Sequence, residues 1–201
     1  MKFTRYENNG NVVMIPIPQS YRDVFELIRS DEYRLDGQHK PTWKIILKNL
    51  MPFSVPLLFY FRLSQYKGVL YPIAKIIYKW LSIKTSVQIP SSTKVGFGFY
   101  IGHKTCIVIN HNTIIGNNVN VSQFCNIGSN YDKPAFICDN VYIGPHVSIV
   151  ESVIVAENAT VGAGTVVTKD IPRNATVVGV PNKVINYNDP GRFVNRRYIK
   201  N

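Results

Sequence analysis

The chain has 201 residues, 45% of them apolar and 17% charged, which is enough for one domain, or one plus a small appendage, with a core that needs no disulfides. Global disorder and collagen-like repetition are excluded by that composition. The formal charge of +11 would suit a nucleic-acid partner, but residues 1–88 carry 13 basic and 6 acidic side chains, residues 89–172 carry 4 and 5, and residues 173–201 carry 6 and 1, so the middle is neutral.

The first ten residues, Met1 to Gly10, are polar and lack the apolar run of a signal peptide. Cys106, Cys125 and Cys138 are odd in number and show no C-x-x-C spacing, so neither a disulfide framework nor a cysteine zinc site is indicated and a reducing, cytoplasmic location is expected. The sequons at Asn120, Asn158 and Asn174 are read as turn chemistry. Residues 1–82 read as a helical region. Ser20 followed by Asp23 marks a helix start, and Val24, Leu27, Ile28 and Leu35 keep near-helical spacing until Gly37, which predicts a first helix over 20–35. Trp43, Ile46, Leu47 and Leu50 mark a second helix, stopped by Pro52, while Leu57 to Tyr66 and Pro72 to Leu81 mark a third and a fourth. The uncharged tract from Asn49 to Phe61 is too short, and too broken by Pro52 and Pro56, to cross a bilayer; it is either core or a segment that rests on a membrane surface.

From Ile83 the period becomes six. Written in hexads, the first positions are Ile83, Ile89, Val95 and Ile101; after two extra residues, Ile109, Ile115, Val121 and Ile127; after four more, Ile137, Ile143, Ile149, Val155, Val161 and Val167. Ile and Val make up 46 of 201 residues, so fourteen unselected positions would hold about three. Fifth positions are small or β-branched inward candidates, Thr105 among them. Gly recurs at second positions and Asn or Gly at fourth positions, where a sharp corner needs left-handed backbone. Short strands with a corner every six residues describe a β-solenoid over residues 83–172, with its apolar first positions stacked inside and residues 173–201 as a tail.

These hexads resemble the left-handed β-helix of the hexapeptide-repeat acyltransferases, three hexads to a triangular coil, and the handedness is implied by that resemblance alone. The fold class expected is α+β, an N-terminal helical region followed by a left-handed parallel β-helix of four to five coils. Within the superfamily the chain is most similar to the serine acetyltransferase group and its relatives in polysaccharide gene clusters. The similarity rests on Ile101-Gly-His-Lys-Thr-Cys-Ile-Val-Ile-Asn110, Ile143-Gly-Pro145, the run Val161-Gly-Ala-Gly-Thr-Val-Val-Thr-Lys-Asp-Ile-Pro172 and Gly179-Val-Pro-Asn-Lys183. It implies acetyl-CoA as co-substrate and His103 as the general base, bound in a groove between subunits of a homotrimer. It also implies that Gly128, Ser129, Gly144, Pro145, Gly162, Ala163 and Gly164 line the pantetheine path and that Lys183 meets coenzyme phosphate. Counting every third hexad places His103, Gln123, Pro145 and Ala163 in one column, with Gln123 able to orient the imidazole. Cys106, close to His103, is expected to pack into the coil.

The resemblance has departures that bear on the acceptor. Where serine acetyltransferases place Asp before the base, an upstream acid and a downstream His before Pro, this chain has Gly102, Gln88 and Lys133 before Pro134. Gln88, Gln123 and Lys133 are therefore the acceptor-binding candidates. The missing acids favour a sugar hydroxyl of a surface polysaccharide or its precursor, with L-serine of cysteine biosynthesis as the alternative. No metal is expected; a zinc hydrolyase similar to the γ-class carbonic anhydrases, using His103, His111 and His146, and a non-catalytic trimeric scaffold are distant alternatives. No nucleic acid is expected. Peripheral contact with anionic membrane, at its inner face, is an option left open by the basic helices with Trp43, Phe53, Phe59, Tyr60, Phe61, Tyr66, Tyr71 and Trp80.

Overall fold

The computed structural model describes residues 1–51, 55–130 and 133–200. Pro52, expected to stop the second helix, and Phe53 of the aromatic set lie outside the described residues. The chain opens on a hairpin that the helical reading of residues 1–82 missed: β1 (Lys2–Asn8) pairs antiparallel with β2 (Asn11–Ile17). Its signal was present in the sequence. Asn9 and Gly10 both take positive φ, 46° and 76°, as a two-residue hairpin turn demands, and the residues after it alternate, with Val13 and Ile15 buried and Val12 and Met14 exposed.

Four helices follow. The first, α1 (Tyr21–Asp36), is capped by the Ser20 hydroxyl accepting from the Asp23 N–H, and ends where Gly37 turns left-handed at φ 77°. Helices α2 (Thr42–Leu50), α3 (Leu57–Leu63) and α4 (Tyr71–Thr85) lie within a few residues of the predicted segments. Residues 87–178 then form fourteen short strands, β3 to β16, in three parallel sheets that make the faces of a prism. The first face stacks β3 (Val87–Gln88), β6 (Ile107–Ile109), β9 (Asn126–Ile127), β12 (Ser148–Ile149) and β15 (Val166–Val167). The second stacks β4 (Lys94–Val95), β7 (Ile114–Ile115), β10 (Phe136–Ile137) and β13 (Ile154–Val155). The third stacks β5 (Tyr100–Ile101), β8 (Asn120–Val121), β11 (Tyr142–Ile143), β14 (Thr160–Val161) and β16 (Thr176–Val178), with β17 (Lys183–Asn186) added antiparallel at its end.

Thirteen of the fourteen hexad starts are buried side chains in this prism, each worth roughly 1.5–3 kcal/mol of transfer free energy. The fourteenth, Ile83, lies in α4 with 72% of its surface exposed, so the solenoid begins at Val87 rather than Ile83. The α4 backbone continues to Thr85, so extending the hexad register back by one step runs into the helix. At the other end the strand ladder runs past residue 172 to Val178, because Val161 pairs with Val177 and Val155 with Ile171, a return of 16 residues that drops two from the last coil and hides it from a six-residue count.

The three faces are covered unequally. On the second face, Phe136, Cys138 and Ile154 pack against Val13 and Ile15 of the hairpin. On the third, the tail returns along the corner between second and third faces: Asn118 exchanges hydrogen bonds with the backbone of Tyr198, Asn120 donates to the Phe193 carbonyl, and Gly191 N–H donates to the Asn158 carbonyl. That corner is left-handed at Gly98, Asn118, Asn140, Asn158 and Asn174, which accounts for the Asn and Gly at fourth positions. Leu57 and Phe61 of α3 and Tyr78 and Leu81 of α4 join the solenoid core and close its first end. A buried ion pair locks the helices on: Arg62 holds Asp31 at 2.8 and 3.0 Å and also donates to the carbonyls of Val95 and Gly96, while Asp31 accepts from the Phe99 N–H.

Candidate functional site

The uncovered part of the prism is the first face with its two bounding corners. The corner between the third and first faces carries His103. In the other coils it is built from four residues in matching columns. Hydrogen bonds from His146 N–H to the Gln123 carbonyl and from Gly164 N–H to the Pro145 carbonyl stack Gln123, Pro145 and Ala163, and beside them the left-handed Phe124, His146 and Gly164. One coil below, Phe124 N–H donates to the Thr105 carbonyl and Cys106 is the left-handed residue, at φ 50°. Gln123 therefore stacks on Thr105, not on His103.

The two extra residues of this coil are His103 and Lys104, pushed out of the column into an enlarged corner. This corrects the hexad count, which placed the surplus after Cys106: Ile107, fully buried and paired with Val87, takes the inward position assigned to Thr105. Counting backward from Ile109 would have found it, since the residue two before each hexad start points inward. Cys106 is exposed rather than packed into the coil. His103 is exposed, and among the described residues its ring has no hydrogen-bond partner, so Gln123 does not orient it. The corner itself is tied down on both sides. Gly102 N–H donates to the Val121 carbonyl, Thr105 N–H to the His103 carbonyl and Cys106 N–H to the Thr85 carbonyl at the end of α4. Lys104 Nζ reaches the Val55 carbonyl at 2.7 Å, and burial among the helices pushes its pKa down, with Lys48 adding to the shift. Sequence reasoning passed over Lys104, whose only signal was its place beside the histidine.

The other expected site residues divide between two edges of the prism. Gly144, Pro145, Gly162, Ala163 and Gly164 share the His103 edge. Gly128 and Ser129 follow β9, and Lys133 precedes β10, so these three sit at the opposite edge of the first face. Lys133 there shares a concavity with Tyr6, Glu7 and Asn8 of the hairpin and with Ser152. Within one chain the structure thus does not bring Lys133 to His103. Gln88 is exposed on the first face, below Val108, and Lys183 is exposed on β17. His111 lies on the edge opposite His103, and no group of three or more His, Cys, Asp or Glu side chains able to hold a metal ion occurs among the described residues.

Residues 134–169 match the family of bacterial transferase hexapeptide (six repeats), and those residues are the β10–β15 coils just described. Over that stretch the chain carries the hexapeptide repeat of that family. It is 35% identical over 135 residues to a serine acetyltransferase of Bacillus pumilus, a match covering 65% of this chain and 61% of that one. It is 32% identical over 120 residues to the galactoside O-acetyltransferase of Escherichia coli, covering 53% of this chain and 59% of the other. A solved serine acetyltransferase in complex with CoA superposes with TM-score 0.64 at 23% identity, over 81% of this chain and 69% of that one. The chain thus spans about three-fifths of the length of the curated relatives it matches. The likeness in fold establishes the left-handed parallel β-helix behind N-terminal helices that the sequence implied.

The glycines of the solenoid separate into those the coil requires and those it does not. A Cβ at Gly144 would lie 2.9 Å from both the Ala163 nitrogen and the Val161 oxygen, backbone atoms of the next coil. At Gly102 and Gly128 the nearest atoms would be 3.7 and 3.8 Å away, at ordinary contact distance. Gly144→Ala is therefore expected to cost about 1–3 kcal/mol of stability through overpacking, and Gly102→Ala and Gly128→Ala much less, as read by the shift in thermal unfolding midpoint.

Proposed function

We propose that the protein is an acetyl-CoA-dependent O-acetyltransferase of the serine acetyltransferase type, with His103 as general base. The observation that carries this reading is the enlarged corner: His103 stands exposed on it, beside the uncovered first face, at the position where the resemblance puts the base. In the proposed reaction His103 takes the proton of the acceptor hydroxyl as its oxygen attacks the thioester carbonyl. The C–S bond then breaks, the acetyl group stays on the acceptor oxygen, and the proton passes to the departing thiolate. The N–H groups of His103 and Lys104 have no backbone acceptor among the described residues, unlike their neighbours Gly102, Thr105 and Cys106, and they are the donors assigned to the tetrahedral oxyanion. Gly144, Pro145, Gly162, Ala163 and Gly164, on the same edge, are assigned to the pantetheine arm, with Lys183 beyond them for phosphate. Gly128, Ser129 and Lys133, on the far edge, are assigned to the neighbouring subunit's side of an intersubunit groove, with Lys133, Gln88 and Gln123 toward the acceptor.

For the acceptor, the names of the relatives weigh toward L-serine rather than the sugar hydroxyl expected from the missing acids. The sugar reading keeps one specific support: Gly102, Gln88 and Lys133 offer no carboxylate for the ammonium group of serine, and an unpaired buried charge is costly. A thiol-release assay with acetyl-CoA, run on L-serine and on galactosides, tests both. Transfer to L-serine at an efficiency at least roughly tenfold above any sugar is the result expected of a serine acetyltransferase; the reverse ratio assigns the sugar, and no CoA release with any hydroxyl acceptor overturns the enzyme reading.

The intersubunit groove requires assembly. The protein is expected to run near three times its chain mass of 22.8 kDa in mass photometry or light scattering. A monomer at micromolar concentration would leave the far-edge residues without a base to serve.

A further inference from the structure

Helix α4 buries Ala74, Tyr78 and Leu81 and leaves a second apolar stripe uncovered. Ile73, Ile76, Trp80 and Ile83 follow one another at helical spacing and are 58%, 70%, 58% and 72% exposed. Helix α2 repeats the arrangement with Trp43, Leu47 and Leu50, all exposed, while its inner residue Ile45 shares a buried cluster with Ala74. Lysines flank both stripes: Lys84 Nζ lies 5.0 Å from the Trp80 ring centre and Lys44 Nζ 5.4 Å from that of Trp43. On the other side of α4, Lys75 and Lys79 join Lys67 and Lys94 around a cleft of about 630 Å³ whose lining, among the described residues, includes no acidic residue. The chain has no Asp or Glu between Asp36 and Asp132, a tract that holds ten Lys and Arg.

We propose that this face is a docking surface for an anionic lipid bilayer, with the apolar stripe of α4 in the acyl boundary and the surrounding lysines on headgroup phosphates. An amphipathic helix with Trp and aliphatic residues on one side and lysines at its margins is the geometry that lies in a membrane interface. A second copy joined through this same face is the poorer occupant, because pairing two such faces would set lysines against lysines. The Cys106–Thr85 hydrogen bond joins the end of α4 to the His103 corner. Docking would therefore bring that corner beside the bilayer. The inference is independent of which acceptor the enzyme uses.

The chain's two tryptophans both lie on the exposed stripes, so intrinsic fluorescence reads the surface directly. With phosphatidylcholine vesicles containing phosphatidylglycerol, a blue shift and co-flotation are expected, and with phosphatidylcholine alone neither. Ile76→Ser combined with Trp80→Ser should lower the bound fraction about tenfold or more, and Lys75→Gln with Lys79→Gln, on exposed side chains, should weaken the preference for anionic vesicles to a similar degree. Molecular mass is measured for each variant. The proposal is overturned if the wild type stays unshifted and unbound at low salt. It is equally overturned if Ile76→Ser with Trp80→Ser breaks the assembly into smaller species, which would assign the stripe to an interface between copies.

Discussion

Replacement of His103 by alanine is expected to lower acetyl transfer by on the order of a hundredfold or more while leaving acetyl-CoA affinity close to that of the wild type. The reason is positional. The imidazole is asked to act on the acceptor proton, not on the coenzyme, so its loss should appear in kcat and not in the binding of acetyl-CoA, measured separately by calorimetry. Because His103 sits on two residues pushed out of the coil and its side chain is exposed, the variant should also keep its thermal midpoint. Equal activity in the variant would remove His103 from the reaction, and a comparable loss in His39→Ala, whose ring packs against Tyr33 and Tyr198, would point to a structural effect instead.

The largest expected effect on stability comes from Arg62. Its guanidinium is fully buried, and Arg62→Met would keep much of the volume while leaving Asp31 charged and unpaired and two carbonyls, of Val95 and Gly96, without a donor. Breaking a buried pair from one side costs about 3–5 kcal/mol, a loss to be read from the midpoint of chemical denaturation. The pH dependence has a definite sign. Burial pushes the Asp31 carboxyl up, and Arg62 is the main group that opposes that shift, with the Phe99 N–H adding to it. Without Arg62 the folded state should hold the Asp31 proton at pH values where the unfolded chain releases it, so the penalty should grow as pH rises through the ordinary aspartate range towards the raised pKa, and shrink again in acid. Replacing both partners, Asp31→Leu with Arg62→Met, should cost less than Arg62→Met alone, since no buried charge is then stranded. A double variant as unstable as the single one would mean that the lost carbonyl contacts, and not the charge, dominate.

The solenoid was legible because its signal is local and repeated. A residue every six must point inward, so thirteen hexad starts could be read without knowing any contact between coils. The four helices were legible for a similar reason, and the Ser20 cap and Gly37 stop were in the text. The hairpin was readable at Asn9-Gly10 but was passed over, since polar residues at the start of β1 mask its alternation. Three things depended on the tertiary structure. The surplus of two residues in the His103 coil could be counted, but a forward count misplaced it, and hydrogen bonds between coils, which put Gln123 over Thr105, fixed its position. The tail, basic and without periodicity, owes its course to asparagine side chains on neighbouring coils, which are far apart in sequence. The division of the expected site between two edges of the prism follows from which corner each insertion enlarges. Inward-facing periodicity is a property of one strand, so sequence alone determined it; the relation between one coil and the next is made by hydrogen bonds across about twenty residues, and only the folded chain decides it.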